Sequence, residues 1–190
     1  CSSLKEIKVA TSNDTFESVS GVLMNEKKDT IYQYPAGKTG TYTIPESVTT
    51  IRDGAFSHCD SLESFSVNPK NKTFVVDGGV LFTKDKKELV VYPNGKAGDE
   101  YTVPNNIGTI GEYAFAGSSL KKVTFPSSVR NIEDYAFTGS ALTEIELNQG
   151  ANSVGQGAFE GCTALTKASL PSSLTRLGHS MFMDCTSLKE

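Results

Sequence analysis

The sequence contains no tryptophan and no long hydrophobic run. None of its apolar stretches approaches the roughly 18 residues of a membrane-spanning helix, and no positively charged segment followed by an apolar one opens the chain. The formal net charge is −4, whereas a nucleic-acid-binding surface needs a clustered basic field. These absences predict no membrane insertion and no nucleic-acid partner.

Catalytic and cofactor motifs are also missing. The sequence has no GxSxG, P-loop or GxGxxG motif, and its four cysteines form no CxxC pair, which excludes zinc-ribbon and thioredoxin sites. His58 and His179 are the only histidines. His58 adjoins Cys59, but no motif places an Asp or Asn partner for a Cys–His nucleophile. We therefore predict no enzyme activity, no cofactor and no metal site.

The composition is that of a folded, soluble protein. Hydrophobic residues make up 37% and charged residues 21% of the 190-residue chain. This length is sufficient for a sizeable core.

One sequence motif repeats along almost the whole chain and is clearest at residues 123–142. Its phenylalanine recurs at Phe56, Phe115, Phe137, Phe159 and Phe182. Eleven residues earlier stands Pro45, Pro104, Pro126 or Pro171, with Asn148 in that place before Phe159. A leucine follows each phenylalanine, at Leu62, Leu120, Leu142, Leu165 and Leu188. Such agreement indicates a true internal repeat.

The long gap between Phe56 and Phe115 holds an insertion, and a matching insertion precedes it. At an offset of 58 residues, Gly21-Val-Leu23 aligns with Gly79-Val-Leu81, and Tyr-Pro dipeptides align further on. In each insertion, apolar runs flank a short polar stretch, at residues 25–29 and 83–87. This pattern predicts one β-hairpin in each insertion.

The repeat predicts a leucine-rich repeat solenoid. A period of 22–23 residues with Leu-x-x-φ-x-φ (φ, apolar) is typical of that fold, with one strand per coil and a parallel sheet along one face. The leucine, the two φ residues, a Val/Ile pair and the phenylalanine point inward, and the proline ends the strand. We expect an α/β-type but mostly β, right-handed solenoid. A single domain covers residues 1–190, with two long units at 1–100 and plain repeats at 101–190.

Both ends of the chain fall at the same point of the repeat. Cys1 aligns with Cys59, and neither end has the atypical sequence of a capping repeat. We expect a segment of a longer protein. The alternative is that Cys1 is the lipidated first residue of a bacterial lipoprotein.

The repeat closely resembles the BspA-like family of leucine-rich repeats. The family pattern of Ile, Ala-Phe, a small residue with Cys and Leu is met at residues 51–62, 110–120, 132–142 and 154–165. Met181 and Asn148 depart from it. The resemblance implies a surface or secreted protein of a host-associated bacterium or parasitic protist, with a role in adhesion or host-protein binding.

The first candidate site is the outward face of the strands. The polar positions of Leu-x-x-φ-x-φ contain five lysines and four glutamates but none of the Trp, Tyr, Phe or Arg residues that anchor tight interfaces. A merely solvated sheet face is the alternative. The candidate residues are Lys5, Glu6, Lys8, Glu63, Ser64, Ser66, Lys121, Lys122, Thr124, Thr143, Glu144, Glu146, Thr166, Lys167 and Ser169.

The lysine-rich tips of the two hairpins are the second candidate, because insertions in repeat proteins often mark a binding face. Solubilised loops are the alternative. The cysteines Cys1, Cys59, Cys162 and Cys185 share one repeat position and are interpreted as small buried thiols in a turn. A disulfide between Cys162 and Cys185 would have poor geometry. Asn13 and Asn71 begin glycosylation sequons at equivalent positions.

The sequence therefore predicts a non-enzymatic, monomeric module at the cell surface or secreted, which binds an extracellular protein or glycan. A structural spacer without a ligand of its own is the alternative function. An enzyme whose active site lies outside this segment is a third possibility.

Overall fold

The computed structural model describes residues 2–189, which form seventeen β-strands and no helix. Cys1, and with it the lipidation hypothesis, lies outside the described residues. None of the described residues forms a helix that could cross a membrane. The strands are β1 (Phe16–Val19), β2 (Val22–Asn25), β3 (Thr30–Gln33), β4 (Gly40–Ile44), β5 (Thr50–Ile51), β6 (Leu62–Val67), β7 (Phe74–Asp77), β8 (Val80–Thr83), β9 (Glu88–Val91), β10 (Glu100–Thr102), β11 (Thr109–Ile110), β12 (Lys122–Thr124), β13 (Asn131–Ile132), β14 (Glu144–Glu146), β15 (Ser153–Val154), β16 (Lys167–Ser169) and β17 (Arg176–Leu177).

Each coil of the solenoid offers two strand positions. β4, β6, β10, β12, β14 and β16 fill the first position, and β3, β5, β9, β11, β13, β15 and β17 fill the second. Strands of neighbouring coils pair in parallel, so that Ile110 of β11 lies opposite Ile132 of β13, and Ile132 lies opposite Val154 of β15. The predicted solenoid with parallel strands is confirmed. The second strand of each plain coil, only two residues long, was not predicted, and turns take the place of any helix.

Each insertion is a three-stranded antiparallel meander. β2 pairs with β3 and β8 pairs with β9, which confirms the two predicted hairpins. A third strand, β1 or β7, extends each hairpin through a second turn. Gly21 and Gly79 in these turns have φ of 81° and 83°, which only glycine adopts at little cost. The first insertion forms a four-stranded sheet with the second-position strand β5, in the order β1-β2-β3-β5. The second insertion continues the second-position strands of the later coils, in the order β17-β15-β13-β11-β9-β8-β7.

The core of the solenoid is a column of aromatic rings. Phe137 and Phe159 are fully buried, and their ring centroids are 5.4 Å apart. Phe115 stacks on Phe137 at 4.7 Å, and Phe182 continues the column at 5.6 Å from Phe159. Leu120, together with the other inward residues of these coils, packs around the rings. A ring cannot bury both faces within its own coil, so the column links the stability of neighbouring coils.

The proline marks the corner between the two strand positions. The carbonyl of Pro126 accepts a hydrogen bond from the Val129 N–H at 3.1 Å, which closes a tight turn after β12. Asn148 forms the same turn with Ala151 at 3.1 Å, and its side chain also donates to the Val129 carbonyl at 3.0 Å. An amide that binds the preceding coil explains why asparagine can replace proline here.

Candidate functional site

The outward side chains of the first-position strands form a polar face. Successive residues of a strand point to opposite sides, so Val123 and Ile145 enter the core while their neighbours point to solvent. Glu144 lies opposite Lys167, and Glu146 lies opposite Ser169 in the β14–β16 pair. Because every second side chain points outward and the strands are parallel, charged and hydroxyl groups form rows across the coils.

The structure places all fifteen candidate residues at least partly at the surface. Twelve are exposed, and Ser64, Ser66 and Ser169 are half-buried. The fifteen residues do not form one continuous surface, because the insertions divide the outward face of the first-position strands. Phe65 of β6 donates its N–H to the Gly79 carbonyl at 2.8 Å, so the turn of the second insertion covers the edge of β6 that faces away from β4.

The first insertion makes the same contact. Ile7 donates its N–H to the Gly21 carbonyl at 2.8 Å. The expected single face is therefore three separate groups, and only the third extends over several neighbouring coils. We call this third group the strand face. Its nine residues are Lys121, Lys122, Thr124, Thr143, Glu144, Glu146, Thr166, Lys167 and Ser169.

A shallow depression of about 400 Å³ lies on the strand face between β12 and β14. Lys122, Thr124, Glu144, Glu146 and Gln149 supply most of its polar groups. The Lys122 ammonium lies 3.3 Å from the Glu144 carboxylate. Both signs of charge and a hydroxyl thus converge on one site, which suits a ligand with hydroxyl or amide groups.

A second ion pair extends this surface towards β10. The Lys121 ammonium lies 2.7 Å from the Asp99 carboxylate, and the hydrogen bond and charge of Asp99 raise the pKa of Lys121. Both groups are exposed, so water and salt screen the pair. The lysine stays positively charged at neutral pH and is available to a partner.

The outward residues of β4 and β10 were not predicted as candidates. The hydroxyl oxygens of Thr41 and Thr43 lie 2.6 Å and 2.7 Å from those of Ser64 and Ser66 on β6. Thr102 of β10 lies opposite Thr124 of β12. These strands lack the leading leucine of the repeat, but a Tyr-Thr-φ-Pro phrase before each corner could have identified them.

The hairpin tips lie against the next coil. The Asp29 carbonyl at the first tip accepts hydrogen bonds from the N–H groups of Thr49 and Thr50 at 2.8 Å and 3.0 Å. Hydrogen bonds from Asn25 and Thr30 lower the pKa of Asp29. The tip backbone is thus fixed, whereas lysine side chains such as Lys27 are exposed.

Of the three cysteines within the described residues, two lie buried in turns, as predicted for small thiols. Cys59 and Cys162 are fully buried, Cys185 is half-buried, and none of the three forms a disulfide in the described structure. The Cys162 thiol donates to the Phe137 carbonyl at 3.2 Å. Burial raises the pKa of Cys59 to about 12 and that of Cys185 to about 11, so these thiols remain protonated at neutral pH.

His58 has a backbone role. Its φ of 54° is left-handed, and the equivalent positions in later coils are Gly117 and Gly139, with φ of 74° and 65°. A side chain at Gly117 would collide with the His58 imidazole. The histidine thus packs over the glycines of later coils, in a turn that the repeat requires.

An acidic corner was also missed. Asp53, Glu112 and Glu133 line a small cleft of about 140 Å³ together with Tyr113. Partial burial, a hydrogen bond with Asp53 and the charges of Asp53, Asp134 and Glu133 raise the pKa of Glu112 to about 7. Within residues 2–189, no group of three or more His, Cys, Asp or Glu side chains is arranged to hold a metal ion.

The two sequons differ in environment. Asn71 is only 2% exposed, and its amide donates to the carbonyls of Pro45 and Val48 at 2.7 Å and 2.8 Å. Asn13 is exposed, and its side-chain oxygen accepts hydrogen bonds from the backbone that follows it, at Thr15 and Phe16. In the folded protein, Asn71 is a structural residue.

The sequence matches the BspA type leucine-rich repeat region in six copies, over residues 27–77 and 94–190. No curated protein matches the chain.

Solved structures of bacterial proteins are similar to this chain. A leucine-rich repeat protein from Eubacterium ventriosum is 31% identical, with a TM-score of 0.74 over 84% of this chain and 47% of that one. The pneumococcal vaccine antigen PcpA is 30% identical, with a TM-score of 0.73 over 80% of this chain and 38% of that one. This chain therefore spans less than half the length of either protein.

A leucine rich cell surface protein from Faecalibacterium prausnitzii shares the fold. It is 24% identical, with a TM-score of 0.60 over 82% of this chain and 51% of that one.

Proposed function

Because the chain belongs to the BspA-type leucine-rich repeat family, we propose that it is a binding module of a bacterial cell-surface or secreted protein. Its ligand is an extracellular protein or glycan, and it docks on the strand face. Solenoid repeats commonly bind on the open surface of their strands, and the pneumococcal relative is an antigen, which agrees with an exposed location.

A row of outward side chains across β12, β14 and β16 supports this function. Lys122, Glu144 and Lys167 stand at the same position of three successive strands. Alternating charges at a fixed spacing fix the register of a partner and speed its association, even where each exposed pair adds little affinity.

The module itself is proposed to be non-catalytic. The protonated, buried thiols of Cys59 and Cys162 are poor nucleophiles, and a reactive cysteine needs an exposed thiolate. His58 packs on the glycines of later coils and serves the turn. Catalysis would therefore need residues other than these.

A structural spacer is the second candidate function. The continuous phenylalanine column from Phe115 to Phe182 ties successive coils together, as a rigid spacer requires. A spacer tolerates changes anywhere on its surface, whereas a binding module does not. This difference separates the two functions experimentally.

The test is a binding panel of purified extracellular-matrix proteins and uncharged glycans. The variant Lys121→Glu/Lys122→Glu/Lys167→Glu reverses the charge of the strand face, and Lys70→Glu/Lys72→Glu/Lys84→Glu makes the same charge change elsewhere. We expect at least one panel member to bind the wild type, and the first variant alone to lose it by about tenfold or more. No binding to any member would support the spacer, and equal binding by both variants would exclude the strand face.

A further inference from the structure

Hairpin tips and proline corners together form one strongly basic edge of the solenoid. Although the chain has a net charge of −4, eight of its 18 lysines and arginines lie in these segments. We call this surface the basic edge. Its residues are Lys27, Lys28, Lys70, Lys72, Lys84, Lys86, Lys87 and Arg130.

Hydrogen bonds between coils align the segments that form the first part of the basic edge. Ser47, in the corner after β4, donates its hydroxyl to the Lys28 carbonyl of the first hairpin tip at 2.6 Å. Asn71, in the corner after β6, donates its amide to the Pro45 carbonyl at 2.7 Å. The first tip and two successive corners are therefore neighbours along the stack.

The second part of the line continues in the same way. Lys84, at the second hairpin tip, donates its N–H to the Thr73 carbonyl at 2.8 Å. Gly108 donates to the Lys87 carbonyl at 2.8 Å, and Arg130 donates to the Gly108 carbonyl at 2.8 Å. The cations thus follow one another along the solenoid axis over several coils.

Carboxylates neutralise only part of this edge. Lys28 and Lys86 have ion-pair partners, Glu17 at 3.0 Å and Asp77 at 2.8 Å. Among residues 2–189, no carboxylate lies within 4.0 Å of the Lys27, Lys70, Lys72, Lys84 or Lys87 ammonium groups. The carboxylates of the same tips and corners are Glu26, Asp29, Glu46 and Asp85.

The middle of the edge is an open, shallow depression of about 570 Å³. Three lysines surround it, and the Lys84 ammonium donates to the Asn71 carbonyl at 3.3 Å. Asn71 itself is fixed by its hydrogen bonds to the preceding coil. The depression is lined by Glu46, Pro69, Lys70, Asn71, Lys72 and Lys84.

We infer that the basic edge binds an anionic polysaccharide, with sulfate or carboxylate groups of the polymer lying on successive coils. This inference rests on the proposed extracellular location. A line in which eight cations outnumber the four carboxylates of the same segments matches a linear polyanion, because successive fixed charges meet successive groups of one polymer. The strand face, with its mixed charges, does not offer that match.

Other polyanions fit the edge less well. Binding to a membrane surface requires apolar or aromatic side chains that enter the headgroup region. The exposed large hydrophobic residues among the described residues are Leu4, Leu170, Leu177 and Met183, none of them on this edge. Single-stranded nucleic acid requires aromatic stacking platforms, and the tips and corners contain no aromatic residue.

The test measures binding of the whole chain to immobilised heparin, a sulfated polysaccharide, at about 0.1 M salt, with uncharged dextran as the control polymer. We expect the wild type to bind heparin and not dextran. Lys70→Glu/Lys72→Glu/Lys84→Glu should weaken binding by about tenfold or more, because three attractive contacts become repulsive. The strand-face variant Lys121→Glu/Lys122→Glu/Lys167→Glu, with the same change in charge, should stay within about twofold. Urea unfolding of both variants checks that they fold.

Three results would overturn the inference: no binding of the wild type to heparin, equal losses in both variants, or unchanged binding by the edge variant. Anionic vesicles or double-stranded DNA bound as tightly as heparin would also overturn the assignment to a polysaccharide. Failure here leaves the strand-face proposal intact, because that proposal depends on the other variant. The strand-face proposal alone would be contradicted if the basic edge bound heparin while strand-face substitutions had no effect on binding in the matrix-protein panel.

Discussion

At the scale of single residues, the phenylalanine of each coil contributes most to the core. Phe137 is fully buried between Phe115 and Phe159. Its replacement by alanine should lower the free energy of unfolding by about 3–5 kcal/mol, because ring contacts are lost and a cavity remains. Leu177, which is 58% exposed, is the control, and Leu177→Ala should cost less than about 1 kcal/mol. Urea unfolding measures both values, and similar losses would contradict the proposed core.

Glu112 gives the stability a pH dependence. Its pKa rises from 4.5 to about 7 in the folded chain, so the folded state holds this proton more tightly than the unfolded state. The stabilisation is complete below about pH 4.5 and is lost as the pH rises through about 7. Glu112→Gln should therefore raise the thermal midpoint at pH 8 more than at pH 5.

The control for this experiment is Glu63→Gln, a change of the same type on β6, away from the acidic corner. It should leave the difference between the two pH values unchanged. An equal effect of Glu112→Gln at pH 5 and pH 8 would show that repulsion among Asp53, Glu112 and Asp134 does not limit stability.

Residue periodicity predicted the buried positions but not the acidic corner. Phe137 and Leu142 recur at fixed spacing, and their burial follows from that pattern alone. Asp53 and Glu112 are also equivalent residues, each three before its phenylalanine. Their coils touch directly at this corner, where the His58 N–H donates to the Ala116 carbonyl at 3.4 Å. That contact depends on how the inserted coil is shaped, which periodicity does not specify.

At the scale of secondary-structure elements, Asn71 anchors the second insertion to the preceding corner. It donates to three carbonyls of that corner and accepts from the N–H groups of Thr73 and Phe74 at 2.9 Å. Asn71→Ala should cost about 2–3 kcal/mol, because buried polar groups lose their partners. The equivalent Asn13 is exposed, and Asn13→Ala should cost about 0.5–1 kcal/mol. Chemical denaturation of the two variants tests this difference, and equal costs would contradict the anchoring role.

The hairpins were predictable from sequence, but their third strands were missed. Apolar runs around residues 25–29 and 83–87 fixed the β2–β3 and β8–β9 pairs. β1 and β7 are separated from their partners only by the dipeptides Ser20-Gly21 and Gly78-Gly79. A two-residue loop of this type indicates a tight hairpin turn. The signal was therefore present in the sequence.

At the scale of the whole molecule, stacking decides which surfaces exist. The repeat predicted one continuous strand face, whereas the insertion turns at Gly21 and Gly79 divide it. Stacking also brings together lysines of separate segments, such as Lys28, Lys72 and Lys84, on one edge. Composition alone argued against any clustered basic field. The strand face and the basic edge both depend on how many coils stack and on where the insertions run. Neither surface can be recognised within a single repeat.

Binding of a partner to the strand face should depend on a small, contiguous set of side chains. The most direct measurement is a display scan in which each exposed residue of the chain is replaced singly. Variants are sorted first for folding and then for capture by the bound member of the protein and glycan panel. We predict that capture falls at Lys122, Glu144 and Lys167 and their neighbours while folding is retained. Loss of capture scattered over the surface, or confined to positions away from the strand face, would show that the strand face is not the binding site.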